Sequence, residues 1–265
     1  MYSEPSGSYA REALLNGLSF EDQGMENPFE FGFVGASDTH MAAIGDDESD
    51  FYGKTGLRDA TPQLTGAVPL SAEVGARSLE NTPDQVREFD SGVYNTGSTI
   101  TWGASGIAGV WAEENTRESI YNAFRRKETF ATTGTRIKVR FFGGYGFTDE
   151  TLAAPDMLET AYSEGVSMGS DLLSDGDRAP RFIVWATQDA LSAPLQRLQI
   201  IKGWTVDGEP HEQVFDVACS DGLKVDQKTH RCPDNGANVN LSNCSISSNV
   251  GASELKTYWK DPNFD

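Results

Sequence analysis

The sequence predicts an α/β amino-terminal portion followed by an antiparallel all-β module, and two stretches carry that prediction. Residues 9–36 set a short amphipathic helix pattern, a loop and an apolar run in succession, the αβ beat of a parallel α/β fold. Beyond about Asp156, "RFIVWAT", "LQRLQIIKGW" and "HEQVFDVACS" read as strands separated by Asp, Gly and Pro turns. No helical pattern lies between them, which is the texture of a β-sandwich. The expected division is 1–150 and 151–265, with the second part truncated at its carboxy-terminal end.

From the amino terminus, "YAREALLNGLSFE" carries Ala10, Ala13, Leu14 and Leu18 at helical spacing, and "FGFVGAS" has the length and aromatic content of a buried strand. Residues 41–109 are rich in Gly, Asp, Ser and Thr and read as a long loop, with "SAEVGARSLENTPDQVREFDSG" its only helical candidate. A loop that long inside a compact domain is usually functional or disordered. A helix comes next in "ENTRESIYNAFRRK", where Asn115 and Glu118 have capping-box spacing and Ile120, Ala123 and Phe124 form the apolar stripe. "TRIKVRFFGG" then alternates as a half-buried strand. "LKTYWKDPNFD" ends the chain on a strand and an Asp-Pro-Asn turn.

Charge narrows the partners. Twenty-one Lys and Arg against forty Asp and Glu leave a net charge of −19. Such a surface repels nucleic acid and anionic membranes. No run of about 18 apolar residues is present, so no membrane span is expected. Cys219, Cys232 and Cys244 share one polar segment. Zinc would want paired short spacings, which are missing. Cys219–Cys232 closing a short loop is the better reading, and it implies an oxidising compartment. Cys244 is then left over, which suggests a partner beyond the chain.

The candidate chemistry sits at the end of the apolar run, in Ser37-Asp38-Thr39-His40. Functional groups in α/β folds gather at the carboxy ends of strands. Two residues apart on an extended segment, Asp38 and His40 point the same way and can reach one ion. An oxygen and a nitrogen donor suit zinc, manganese or iron better than calcium. Two ligands fall short of the three that a catalytic zinc takes from its protein. The plainer alternative is that Ser37 and Asp38 cap a turn while His40 packs on Phe33 or Met41. Glu113, Glu114, Asn115 and Arg117 come after the long loop and are candidates for lining a site, with Arg117 as an oxyanion holder. Helix capping and solvation account for the same four residues more simply. The acidic segments "GDDESD" and "CSDGLKVDQKTHRCPDNG" resemble calcium loops in composition but lack their register.

"NPFEFGFVGASDTH", "GKTGLRDATP", "AGVWAEENTRESIYNAFRRKETFATTGTRIKVRFFGGY" and "APRFIVWATQDALSAPLQRLQIIKGW" together resemble the DUF3604 family. That family is usually grouped with the polymerase-and-histidinol-phosphatase (PHP) superfamily of metal-dependent phosphoesterases. The resemblance implies a PHP-type distorted β/α barrel with two or three metal ions at the strand ends, followed by a β-sandwich-like module. Asp38 and His40 match the superfamily's last metal motif, Asp-x-His. The opening His-x-His is missing, and His211 and His230 match no ligand motif. The chain therefore resembles the carboxy-terminal fragment of such a protein. The function this resemblance implies is part of a metal-dependent hydrolase, incomplete as it stands, in the periplasm or secreted. Its substrate would be a small-molecule phosphate ester, other ester or carbamate. The alternative is a non-catalytic secreted binding or structural module.

Overall fold

A computed structural model describes residues 6–7, 9–36, 40, 61–96, 106–176, 178–240, 242–243, 245–261 and 264. Asp38 and Cys244 lie outside the described residues. In chain order the elements are α1 (Ala10–Asp22), α2 (Pro62–Thr65), α3 (Ala72–Asn81), β1 (Val86–Phe89), β2 (Gly92–Asn95), β3 (Ala108–Val110), α4 (Arg117–Arg125) and β4 (Thr129–Ala131). They continue with β5 (Lys138–Gly144), α5 (Asp149–Ala153), α6 (Met157–Glu164), β6 (Gly165–Ser167), β7 (Arg181–Thr187), β8 (Arg197–Val206), β9 (Glu209–Cys219), β10 (Val239–Asn240), β11 (Ser245–Ile246) and β12 (Glu254–Lys260). The chain forms two compact units. One comprises Met1, Val34–Ala108 and Ala131–Thr135; the other comprises Tyr2–Phe33, Gly109–Phe130 and Arg136–Asp265.

In the first unit the stretch read as a loop with one helix holds more structure than its composition suggests. α3 starts where Ser71 Oγ accepts the Val74 N–H at 3.3 Å, the side-chain cap its sequence position favours. It stops at Thr82, ahead of a single 3₁₀ turn over Pro83–Gln85, because Pro83 cannot continue the hydrogen-bond ladder. "VREF", read as part of that helix, instead pairs antiparallel with β2, Val86 opposite Asn95 and Phe89 opposite Gly92.

In the second unit an antiparallel sheet of order β12-β7-β5-β6 is the centre. β5 runs against β7 with Arg140 opposite Trp185 and Phe142 opposite Ile183, and β12 sets Tyr258 opposite Ile183. Alternation then sorts the side chains onto two faces. One face buries Phe142 and Ile183 against Phe147 and the α6 residues Met157 and Ala161. The other buries Val184 and Ala186 against Leu195 and Leu198, carried by the β8–β9 ribbon side of the unit. β8 and β9 turn through Asp207 (φ 53°) and Gly208 (φ 80°), the Asp-Gly turn with two left-handed residues that matches strand twist. α1 packs on this ribbon at Gly203, where a β-carbon would come within 2.6 Å of Leu15.

Three local expectations are corrected. "FGFVGAS" is not a buried strand: Phe31 is 49% and Val34 56% exposed, and no strand among the described residues pairs with it. The segment is held from outside its own ladder: Lys127 Nζ donates to Glu30 O at 3.0 Å and Thr129 Oγ1 to Phe33 O at 2.5 Å. The cap of α4 is Thr116, whose Oγ1 accepts from Ser119 N at 3.2 Å, and not Asn115. α6 is a helix that the strand-rich texture after Asp156 concealed.

Candidate functional site

Side chains from five elements converge on a cleft of about 540 Å³ in the second unit, walled by Trp111, Glu113, Arg126, Glu128, Arg140 and Tyr162. Local geometry delivers each one. Trp111 follows β3, with its indole N–H donating to Val139 O at 2.8 Å. Glu113 is set by α4: Ser119 Oγ donates to its Oε2 at 2.9 Å and accepts the Glu114 N–H at 3.1 Å. α4 ends with Lys127 at φ 59°. The Lys127 N–H bonds Phe124 O and the Glu128 N–H bonds Ala123 O, the Schellman arrangement that usually places glycine at the left-handed residue. The sharp exit swings Glu128 inward, where it is 2% exposed.

A buried carboxylate requires partners, and Glu128 has them. Tyr162, in the last turn of α6, donates its hydroxyl proton to Oε1, and Arg126 Nη2 reaches Oε2 at 3.4 Å. The same Arg126 nitrogen bonds Glu113 Oε1 at 3.1 Å. Arg140 Nη1 donates to the Tyr162 oxygen at 2.9 Å, and its guanidinium carbon sits 3.6 Å from the centre of the Trp111 ring. Glu113, Arg126, Glu128, Tyr162 and Arg140 thus form one chain of alternating charge and hydrogen bond, ending on an aromatic face.

The network biases the protons. Burial pushes the Tyr162 pKa up, and the Glu128 hydrogen bond and charge push it further, while Arg140 opposes them. Tyr162 is therefore a neutral donor. The Glu113 pKa is lowered by its own backbone N–H, then by the Ser119 hydroxyl and the Arg126 charge. The cleft presents fixed cations, aromatic faces and one open carboxylate, which is equipment for holding and orienting a small molecule.

Of the residues anticipated from sequence, Glu113 lines the cleft. Glu114, Asn115 and Arg117 are exposed at the start of α4 and stand outside that lining. His40 is exposed and belongs to the other unit. Trp111, Arg126, Glu128, Arg140 and Tyr162 were not anticipated. In the sequence Arg126 stands among the charges that end the "ENTRESIYNAFRRK" helix pattern and Arg140 in the polar half of an alternating strand.

The second anchored region is the polar segment after β9. Cys219 and Cys232 form a disulfide, with Cα atoms 5.7 Å apart, as their spacing suggested. Asp216 holds the far side: its carboxylate accepts from Cys232 N at 2.6 Å, Gln199 Nε2 at 2.7 Å, and Arg197 and Arg231 at 3.3 Å each. Burial raises the Asp216 pKa, but the Cys232 N–H, Gln199 and Arg231 hydrogen bonds and the Arg197 charge together outweigh it, so the carboxyl lies below its ordinary range. These contacts are structural.

Among the described residues, no three His, Cys, Asp or Glu side chains converge as a metal would require. The described donors therefore do not complete a coordination sphere. No helix among the described residues is long and apolar enough to cross a membrane.

The family model described as "Protein of unknown function (DUF3604)" matches residues 1–265. No curated protein and no solved structure matches the chain. With the match running through both units, the chain belongs to the DUF3604 family.

Proposed function

We propose that the chain is the carboxy-terminal part of a PHP-type metal-dependent hydrolase, acting on a small-molecule ester, phosphate ester or carbamate in the periplasm or outside the cell. The Asp38-x-His40 pair carries this reading, as a carboxylate and an imidazole at the spacing that lets both reach one zinc, manganese or iron ion. The chain's membership of DUF3604 bears on it only through the resemblance of that family to the PHP superfamily. The Cys219–Cys232 disulfide supports the oxidising compartment. On this reading the barrel precedes a sandwich-like module, and the remaining ligands of a two- or three-ion cluster come from outside these residues.

A second reading is favoured by the network itself. Glu128, Arg126 and Tyr162 are hydrogen-bonded to one another, which suits a recognition wall in a non-catalytic secreted module. Metal content separates the two. Elemental analysis of the full-length protein should find two or three divalent ions per chain, with loss of at least one in His40→Ala. A metal-free wild-type protein, or unchanged content in the variant, refutes the hydrolase reading. The 265 residues alone should hydrolyse p-nitrophenyl phosphate poorly. Robust turnover abolished by His40→Ala would show that the site is complete within them.

A further inference from the structure

Two cavities of the second unit share a wall. Trp111 and Arg140 line the 540 Å³ cleft and also a smaller cavity of about 210 Å³, closed by Lys138, Trp185 and Thr187. Register makes this wall: β5 and β7 put Arg140 opposite Trp185 and Lys138 opposite Thr187, so all four stand on one face.

The wall is not self-satisfied. Arg140 gives one hydrogen bond among the described residues, to Tyr162, although a guanidinium carries five N–H groups. Exposed Lys138 gives none among them. Among the described residues the buried Trp185 Nε1 atom has no acceptor, an unmet donor of the kind folded proteins rarely leave. Arg126 and Arg140 line the larger cavity with Glu113 and Glu128, and Lys138 and Arg140 line the smaller one without a carboxylate. Lys256, opposite Trp185, sets its Nζ 5.7 Å from the centre of that ring, so the wall is positive within a chain of net charge −19.

A positive wall favours an anion. The planar fork of arginine matches a carboxylate, and an indole offers a flat apolar face. We infer that this shared wall binds a small aromatic carboxylate, its oxygens on Arg140 with Lys138 beside them and its ring against the Trp185 indole. The inference does not rest on the hydrolytic reading, because neither a metal nor turnover enters it.

The test is a calorimetric titration of the whole chain with benzoate in EDTA, with acetate and inorganic phosphate as separate arms. Benzoate should bind saturably and quench tryptophan fluorescence, and acetate should bind about tenfold more weakly for want of a ring. Arg140→Lys keeps the charge and loses the fork, and should weaken benzoate about tenfold. Lys138→Gln, at an exposed position that no fold contact requires, should weaken it about threefold and decides the matter if Arg140→Lys is unfolded by circular dichroism. Absence of saturable benzoate binding, equal affinity for acetate, tighter binding of phosphate, or unchanged affinity in Lys138→Gln and a folded Arg140→Lys each overturns it.

Discussion

Tyr162 and Glu128, 34 residues apart in sequence, meet through a hydrogen bond from a helix-borne hydroxyl to a carboxylate that is 2% exposed. This contact ties α6 to the exit from α4, while the Phe142–Tyr162 ring pair, with centroids 5.0 Å apart, ties the same helix to β5.

Removing the Tyr162 hydroxyl should leave the 2%-exposed Glu128 carboxylate short of a hydrogen-bond donor. Tyr162→Phe is expected to cost about 1–3 kcal/mol in urea denaturation, with an unchanged m-value. Paired with Glu128→Gln in a double-mutant cycle, the two changes should be non-additive by about 0.5–3 kcal/mol. Additive effects would show that the bond contributes nothing of its own.

Alkaline stability should report the same pair. The folded-state pKa of Tyr162 is raised by burial and by Glu128, so its contribution is complete below the unfolded value of about 10. It is lost as pH climbs through the folded value. Melting temperatures between pH 9 and about 12 should fall more steeply for the wild type than for Tyr162→Phe. Parallel curves would contradict the assignment.

Asp216 governs the acid limb with the opposite sign. Its pKa is depressed in the folded state, so its contribution is present above the unfolded value of about 3.9 and disappears as pH falls through the folded one. Asp216→Asn should lower stability at pH 7 by about 1–3 kcal/mol, since the Cys232 N–H, Gln199 and two partly exposed arginines lose a charged acceptor. It should also flatten the pH dependence below about pH 4. Thermal melts of both proteins from neutral to acid pH measure both effects.

The Cys219–Cys232 bridge closes a loop with a sequence separation of 13. Loop-closure entropy for that length amounts to about 3 kcal/mol. Reduction, or Cys219→Ser with Cys232→Ser, should lower the melting temperature accordingly and expose the following polar segment to protease. An unchanged melting temperature would place the loop's stability in the Asp216 contacts alone.

Strong periodicity was legible. The helix pattern of 9–21 became α1, the alternation of "IKVRF" became β5, and the three apolar runs after residue 180 became β7, β8 and β9. α6 escaped because eight residues with no side-chain cap carry little intrinsic helical signal. Its stability comes from burying Met157 and Ala161 on Phe142 and Phe147. "FGFVGAS" misled in the other direction: an apolar run reads as strand whether or not a neighbour is there to pair with it. Glu113 was anticipated from its place after the long loop, whereas Glu128 resembled an ordinary charge.

The family, the charge, the disulfide partners and the long strands are all written in the linear chain, because each depends on composition, spacing or local periodicity. Which charges are buried, and what they touch, is settled only by long-range packing. A carboxylate is drawn into the interior when a left-handed exit at Lys127 turns it inward, a tyrosine on a later helix and Arg126 donate to it, and Arg140 holds that tyrosine. No single stretch of chain contains that convergence.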